Sequence, residues 1–440
     1  MRTSDNSSQL NQAKGDHIDP DQVKSGSQDS RSREFDVNLG TGIGQHATNK
    51  PHAFKTLTKL LCFVLIFVLL NQLCCFLFEP YLGSSEEMWR GFRSKENVEL
   101  IYTGSSQCIT GIDPSVVDRE LGTSSYNMGT NMQSFYSSYH AIKTAIEEKN
   151  CTTVVLSLDD ELLYEDFNNN FRADASFQHA ADKTAPNIAA KLEGAAGFAV
   201  GSAFFAKPGS VNYLFPWIYN RDMDVAKNVK EKISGEILES DLATHRDGNG
   251  FLPSDEVMIP DNQYVSVENA IEWDLTADSV KDLTLISSNR DELEKICQLC
   301  KDNGVNLIAV TFPYPNYLTV YSVKSYADMQ SELGGLFGSY GFSYYNCNLV
   351  RQEYYNTGEL TWYKDKGHMN TEGAANFSSF IAKLIEAESA DSSGLITDND
   401  NNGEPGALAI DGHSATADGK GAASEWFYKL VVDENGARLE

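Results

Sequence analysis

The sequence predicts an α/β protein, a three-layer sandwich on a mostly parallel sheet, preceded by one transmembrane helix. Three observations predict it. From about residue 98, short runs rich in β-branched and aromatic residues alternate with longer amphipathic stretches. Runs such as "NLIAV" and "TTVVLSL" carry consecutive apolar residues, as strands covered on both faces do. A single uncharged run, residues 60–78, comes before them.

Composition bounds the rest. With 440 residues, 41% of them hydrophobic, the chain can bury one main domain with appendages. A formal net charge of -27 excludes a general nucleic-acid binder, which needs cationic groups to displace phosphate counterions. Residues 1–56 are rich in Ser, Asp, Asn and Gln, hold too few large apolar side chains for a core, and are expected to be disordered and cytoplasmic.

The run "LLCFVLIFVLLNQLCCFLF" is interrupted only by Asn71 and Gln72. At about 1.5 Å per residue it nearly crosses a hydrocarbon core of about 30 Å, which gives a span over 57–79. A buried globular helix is seldom apolar on every face. The long polar segment ahead of it argues against a cleaved signal peptide. Cys74 and Cys75 lack the small residues that usually precede a lipidated cysteine. Lys50, Lys55 and Lys59 precede the run, whereas the first basic residue after it is Arg90. The positive-inside rule therefore puts the N-terminus in the cytoplasm and everything beyond about residue 80 outside the cell membrane.

The domain is expected over 80–388. "VELIYTG" reads as its first strand, followed by the turn Gly104-Ser105-Ser106, and "SSYNMG" as a second, short one. "MQSFYSSYHAIKTAIEEKN" is a helix ending at Asn150, and "TTVVLSL" is a third strand. Later come a helix closing on Gly304, the buried strand "VNLIAVTFPYP" stopped by prolines, and a helix near 325–335. The strand "GFSYYNC" and a last helix from about 371 to 388 complete the alternation. In such sheets sites lie beyond the C-terminal ends of strands, where Ser106, Asn127 and Gly129 fall.

Between about 160 and 288 the alternation breaks down into an insertion with "FNNNF", an expected helix at 187–206, and "VNYLFPWIYN". Its aromatic residues Tyr213, Phe215, Trp217 and Tyr219, with Trp362, are candidates for a substrate or partner surface; the alternative is simple packing onto the core. Residues 389–424 read as an acidic low-complexity linker, and 425–440 carry an Asn-Gly hairpin signal to which no function is assigned. Outside the span there are five cysteines, Cys108, Cys151, Cys297, Cys300 and Cys347, an odd number that fits no complete disulfide framework. Cys297 and Cys300 share a helix face, and no second ligand pair accompanies them. Core packing or one local disulfide fits them better than a metal site, and no metal or cofactor is expected.

Two stretches carry chemistry. In "IYTGSSQCITGIDP" a strand, a sharp turn and a helix start follow without a gap, which lifts one side chain above the sheet edge. An isolated Gly-Ser-Ser is more often an ordinary turn. In "WYKDKGHMNTEGAANF", residues 362–377, Asp365 and His368 stand three apart before a helix capped by Asn370 or Thr371, with Glu372 in its first turn. A lone Asp-x-x-His is commonly a loop pair without chemistry. The conjunction matters, because a catalytic serine needs a base and an acid that fixes the imidazole tautomer, and this loop supplies both.

The Gly104-Ser105-Ser106 turn, "YNMG" one unit later, and Asp365-x-x-His368 near the domain's end resemble the first, second and fifth blocks of SGNH/GDSL-type serine esterases and acyltransferases. The span, the "GIDP" continuation, "FPWIYN" and "DKGHMNTEGA" most resemble the membrane-anchored DltD-like branch. The resemblance implies an SGNH, flavodoxin-like fold with Ser106 as nucleophile, His368 as base and Asp365 as its orienting acid. It implies oxyanion N–H donors around Ser106, Gly129, Asn131 and Met132. Two positions depart from the pattern: the second-block glycine five residues after Asn127 is Met132, and the third-block Asn is replaced by Asp159 or Asp160, whose carboxylates cannot donate.

The activity so implied is that of an extracytoplasmic acyl-esterase or acyltransferase on ester groups, of acetyl or D-alanyl type, of a cell-surface glycopolymer. Its partners would be a surface polysaccharide or teichoic-acid-like polymer and a membrane-bound O-acyltransferase, with no nucleic acid. The alternative is a non-catalytic SGNH-like module that binds polymer and assists that acyltransferase.

Overall fold

The computed structural model describes residues 50–159, 215–237, 245–258, 285–315 and 323–393. Residues 163, 176–180, 182, 184–187 and 189 and the short strands 408–410 and 413–415 are described as well. Of the segment expected to be disordered, 1–56, residues 50–56 instead open the helix Lys50–Phe78, and 1–49 lie outside the described residues, as do "FNNNF", Asp160, most of 187–206, Tyr213 and the hairpin expected at 425–440.

Helix α1, Lys50–Phe78, contains a 25-residue stretch, Phe54–Phe78, with mean hydropathy 2.7, long and apolar enough to cross a membrane. Its apolar side chains stand exposed from Phe54 to Phe76. Helix α2, Ser84–Ser94, follows; it has Glu86 and Glu87 in its first turn and Arg93 in its last, as the helix dipole favours, and it buries Met88, Trp89 and Phe92.

Five strands form one parallel sheet in the order β2-β1-β3-β4-β5: β1 Leu100–Thr103, β2 Ser125–Asn127, β3 Thr153–Ser157, β4 Asn306–Thr311 and β5 Ser343–Asn346. The register sets Leu100 opposite Ser125 on one side and Thr153 on the other. All of β1 is buried, and only Asn306 of β4 is partly exposed. Since successive side chains point to opposite faces, that pattern means neither face of these strands meets solvent. Strand order reverses between β1 and β3, so the chain segments leaving their C-terminal ends diverge and leave a crevice there.

Local chemistry explains the connections. Gly104, after β1, has φ +155, and a Cβ there would lie 2.6 Å from Ser157 Cβ and 3.0 Å from Ser157 O, so β3 approaches too closely for any side chain. Ser105 caps α3, Ser106–Gly111. The "GIDP" stretch is the start of α4, Pro114–Leu121: the Asp113 side chain accepts from Ser115 N–H, Pro114 occupies the first helical turn, and Gly122 ends the helix at φ 69. Helix α5, Phe135–Lys149, is capped by Ser134 and closed by Asn150 at φ 54. It starts later than the sequence pattern suggests, because Met132 also stands at φ 54, a left-handed conformation no helix can include.

Within the insertion lie α6 Pro216–Tyr219 and α7 Val225–Ser234; α8 Ser287–Asp302, α9 Val323–Tyr340 and α10 Thr371–Ser393 follow. Cys297 and Cys300 of α8 are buried free thiols, as are Cys108, Cys151 and Cys347. The pair serves core packing, and burial pushes the Cys297 thiol up to about 12. Helix α10 runs past the boundary at 388, and within the stretch read as a linker Leu408–Ile410 (β6) and His413–Ala415 (β7) pair antiparallel.

Candidate active site

Two connections deliver the reactive groups. Ser106 opens α3 directly after the β1 turn, half-buried. His368 and Asp365 occupy a tight loop immediately before α10. Lys364 N–H donates to His368 O at 3.0 Å, and Tyr363 pairs with Met369, so Asp365, Lys366 and Gly367 form the tip of a closed turn. Asn370 is the cap: its Oδ1 accepts from Gly373 N–H at 3.0 Å, and its Nδ2 donates to Glu256 O at 3.1 Å and Thr361 O at 2.6 Å. Thr371 N–H and Oγ1 both donate to Ser254 O. The loop is thus fastened at its base on both sides.

Across this junction His368 Nε2 lies 2.8 Å from Ser106 Oγ, although the residues are 262 positions apart. Asp365 Oδ1 and Oδ2 lie 2.8 and 3.0 Å from His368 Nδ1, and Oδ1 also accepts from Gly367 N–H at 2.8 Å. Desolvation raises the Asp365 carboxyl, but the hydrogen bonds from His368 and Gly367 and the charges of His368 and Lys364 outweigh it and hold it below the usual aspartate value. It is therefore an ionised acceptor, which keeps the Nδ1–H tautomer and leaves Nε2 to accept a proton from Ser106. Gln107 Nε2, from α3, reaches Gly367 O at 3.4 Å and adds a second tie between the two connections.

Ser105 points elsewhere. Its Oγ donates to Asp159 Oδ2 at 2.9 Å, across the gap between the ends of β1 and β3, and accepts from Gln107 N–H. Asp159 therefore anchors the residue beside the nucleophile.

The oxyanion side is only partly as the sequence suggests. Asn127 is fully buried; its Oδ1 accepts from Gly129 N–H at 3.0 Å, and its Nδ2 donates to Cys108 O at 2.7 Å and Ile112 O at 3.0 Å. The Gly129 N–H is consequently consumed within the protein, which removes it from the set of oxyanion donors. Asn131 is exposed at the turn that follows. Met132 keeps a backbone conformation in which glycine is usual, at φ 54.

Arg246 was not legible in the sequence, since it comes from the irregular insertion. It is half-buried, and desolvation lowers its pKa, opposed by Tyr126, Glu87, Cys108 and Asp247. Its Nη1 donates to Gly250 O at 3.2 Å and its Nη2 to Gly129 O at 2.7 Å and Ser84 Oγ at 3.1 Å. Gly250, at φ +87, brings the insertion against the end of β2, where a Cβ would stand 2.3 Å from Asn127 O. Asn127 N–H then donates to Asn249 O at 2.9 Å.

The aromatic candidates do not join the triad. The Phe215 ring meets Phe67 edge-on at 5.8 Å, Trp217 leans on Phe78 at 6.4 Å, and Trp217 Nε1 donates to Asn71 Oδ1 at 2.8 Å, so both pack on α1. Trp362, half-buried, packs against Tyr355 at 5.5 Å. Tyr219 lies at the end of α6. Among the described residues no group of His, Cys, Asp and Glu is placed to hold a metal ion. No protein-family model matches the chain, and no curated protein matches it.

Proposed function

We propose that the chain is a membrane-anchored serine acyl-ester enzyme of SGNH type, a three-layer α/β domain held outside the cell, that hydrolyses or transfers acyl groups on a cell-surface glycopolymer. The observation that carries this reading is the Ser106 Oγ–His368 Nε2 contact of 2.8 Å with Asp365 on Nδ1. Ser106 Oγ attacks the ester carbonyl as its proton passes to His368 Nε2, and the imidazolium gains stabilisation from Asp365. The protonated His368 then donates to the leaving alcohol oxygen, and an acyl-Ser106 ester remains. Water, or a polymer hydroxyl, gives its proton to His368 as it attacks that ester, and His368 returns the proton to Ser106 Oγ as the acyl–oxygen bond breaks. Backbone N–H groups of Ser106 and Met132 are the donors proposed for the oxyanion. With Gly129 N–H occupied and Asp159 in place of a donor, one donor fewer costs about 10²–10³ in rate.

That same deficit favours a second reading, a polymer-binding module that assists a membrane O-acyltransferase and forms no acyl-enzyme. A fluorophosphonate probe with the intact protein separates them. The enzyme acquires one adduct at Ser106, seen by intact mass and peptide mapping, and Ser106→Ala and His368→Ala abolish it. Absence of an adduct both alone and in membranes containing an O-acyltransferase refutes the enzyme.

A further inference from the structure

Helices α6 and α7 leave a large apolar side chain exposed on each side of a cluster of contacts with α1. Outside α1, five large hydrophobic side chains stand exposed among the described residues: Ile218, Met223, Ile233, Val257 and Tyr354. Three of the five, Ile218, Met223 and Ile233, belong to the segment 215–234, and that segment is fastened to α1 at several depths. At the end of α1, Asp222 N–H donates to Phe78 O at 2.7 Å and Asn228 Nδ2 to Leu77 O at 3.2 Å. Lys232 Nζ donates to Cys75 O at 2.9 Å, Phe76 O at 2.8 Å and Glu79 O at 2.5 Å, with its charge 5.6 Å from the centre of the Phe76 ring. The Phe76, Leu77 and Phe78 carbonyls belong to the last turn of α1, whereas Cys75 O also accepts from Glu79 N–H at 3.1 Å, and a cation suits that end of the dipole. Further along, Trp217 takes Asn71 and Phe215 takes Phe67.

Depth follows from helix geometry. At 1.5 Å per residue, Asn71 lies roughly 10 Å and Phe67 roughly 16 Å from the end of α1 at Phe78. If α1 spans, both lie within the outer half of a hydrocarbon core about 30 Å thick or at its midplane. The elements touching them must then lie at that depth too.

We infer that residues 215–234 form a collar seated in the outer leaflet, with Phe215, Trp217 and Ile218 among the acyl chains and Met223, Lys232 and Ile233 at the headgroup boundary. The occupant of this exposed apolar surface is lipid, because the surface is continuous with the exposed apolar side chains of α1 itself. A lysine at the boundary, with its stem along apolar surface and its charge at the helix end, is a residue that interfaces select. The Trp217–Asn71 hydrogen bond supplies a donor to the amide oxygen, a polar atom that acyl chains would leave without a partner. This inference rests on the membrane-anchored reading of α1.

Its test uses the full chain in phosphatidylcholine vesicles carrying a phospholipid with a diazirine midway along one acyl chain. After irradiation, labelled peptides are mapped by mass spectrometry. Label on peptides from both 54–78 and 215–234, with none on α9, is the expected result. Label on 54–78 alone overturns the collar while leaving the anchor standing, including the case in which this face is reserved for a protein partner. Absence of label on 54–78 removes the anchor itself, and the collar with it. Ile218→Lys, an exposed position whose change does not disturb the core, should reduce labelling of 215–234 at least threefold and leave that of 54–78 unchanged; equal labelling in the variant also overturns the collar.

Discussion

Replacing Asp365 by asparagine probes how the site orders its protons. Oδ1 accepts from both Gly367 N–H and His368 Nδ1, at 2.8 Å each, whereas Oδ2 faces Nδ1 alone at 3.0 Å. In Asp365→Asn the amide oxygen keeps the Oδ1 position, since only an oxygen can accept from Gly367, and the NH₂ group falls where Oδ2 stood. The oxygen still accepts from Nδ1–H, but a donor now stands 3.0 Å from the same nitrogen, which weakens the preference for the tautomer that leaves Nε2 free to take the Ser106 proton. The charge that steadies the imidazolium is lost as well. Because the Asp365 side chain is 51% exposed, its field is screened: at about 4 Å and an effective dielectric of 20–80, the interaction is about 1–4 kcal/mol, or roughly 10–10³ in rate. Buried aspartates in such triads cost about 10⁴. The assay is the second-order rate of fluorophosphonate labelling, with thermal unfolding measured alongside. A rate within threefold of wild type refutes the assigned role; a loss matched by a collapse of the unfolding temperature refutes the proton argument and leaves Asp365 as a brace for the loop.

Further outcomes follow from the same contacts. The lowered Asp365 pKa makes its contribution to stability complete above the ordinary aspartate range and lost as pH falls through the lowered value, so wild type and Asp365→Asn should converge in unfolding temperature on acidification. Asp159→Asn keeps an acceptor for Ser105 Oγ–H and removes a negative charge beside the nucleophile's turn, so aryl-ester turnover should rise; a tenfold fall would mean that the charge itself is needed. Gly104→Ala forces a Cβ into Ser157 and should destabilise the domain by roughly 1–3 kcal/mol, read from thermal unfolding, and unchanged stability would contradict the close approach. Protease added outside intact cells should remove the domain beyond residue 80 and spare the N-terminal segment, whereas protection of Ser106 peptides would reverse the topology.

The legible part of this protein is what local rules specify. The parallel strands declared themselves because β1, β3 and β4 each carry three or four apolar residues in a row, and the end of α5 because Asn150 closes it. Ser106, His368 and Asp365 were legible as two short segments, each with its own turn chemistry. What stayed hidden depends on contacts between distant segments. Nothing around Asn127 foretells that its side chain bonds Gly129 N–H, because that geometry depends on α3 returning its Cys108 and Ile112 carbonyls to the same side chain. Helix α2 does carry a helical signal, with Met88, Trp89 and Phe92 at i, i+1 and i+4, in the short stretch between the apolar run and the first strand. The aromatic run in the insertion reads equally well as a ligand platform or as packing, and only the position of α1 decides between them.

The anchor and the site are joined by a short physical route. Residues 79–83 link α1 to α2, and even fully extended they place Ser84 no more than about 22 Å from Phe78. Arg246 Nη2 donates to Ser84 Oγ and to Gly129 O with a single atom, at 3.1 and 2.7 Å, so these two oxygens lie within about 6 Å of each other. Thr130 N–H then donates to Gly104 O at 3.0 Å, beside the serine turn. The loop next to the nucleophile is therefore held on the order of 30 Å or less from the end of the apolar helix. It is held there by a half-buried guanidinium whose removal would take a donor from Gly129 O and Gly250 O together. Arg246 is thus bonded at once to α2, the helix that follows α1, and to the loop beside Ser106.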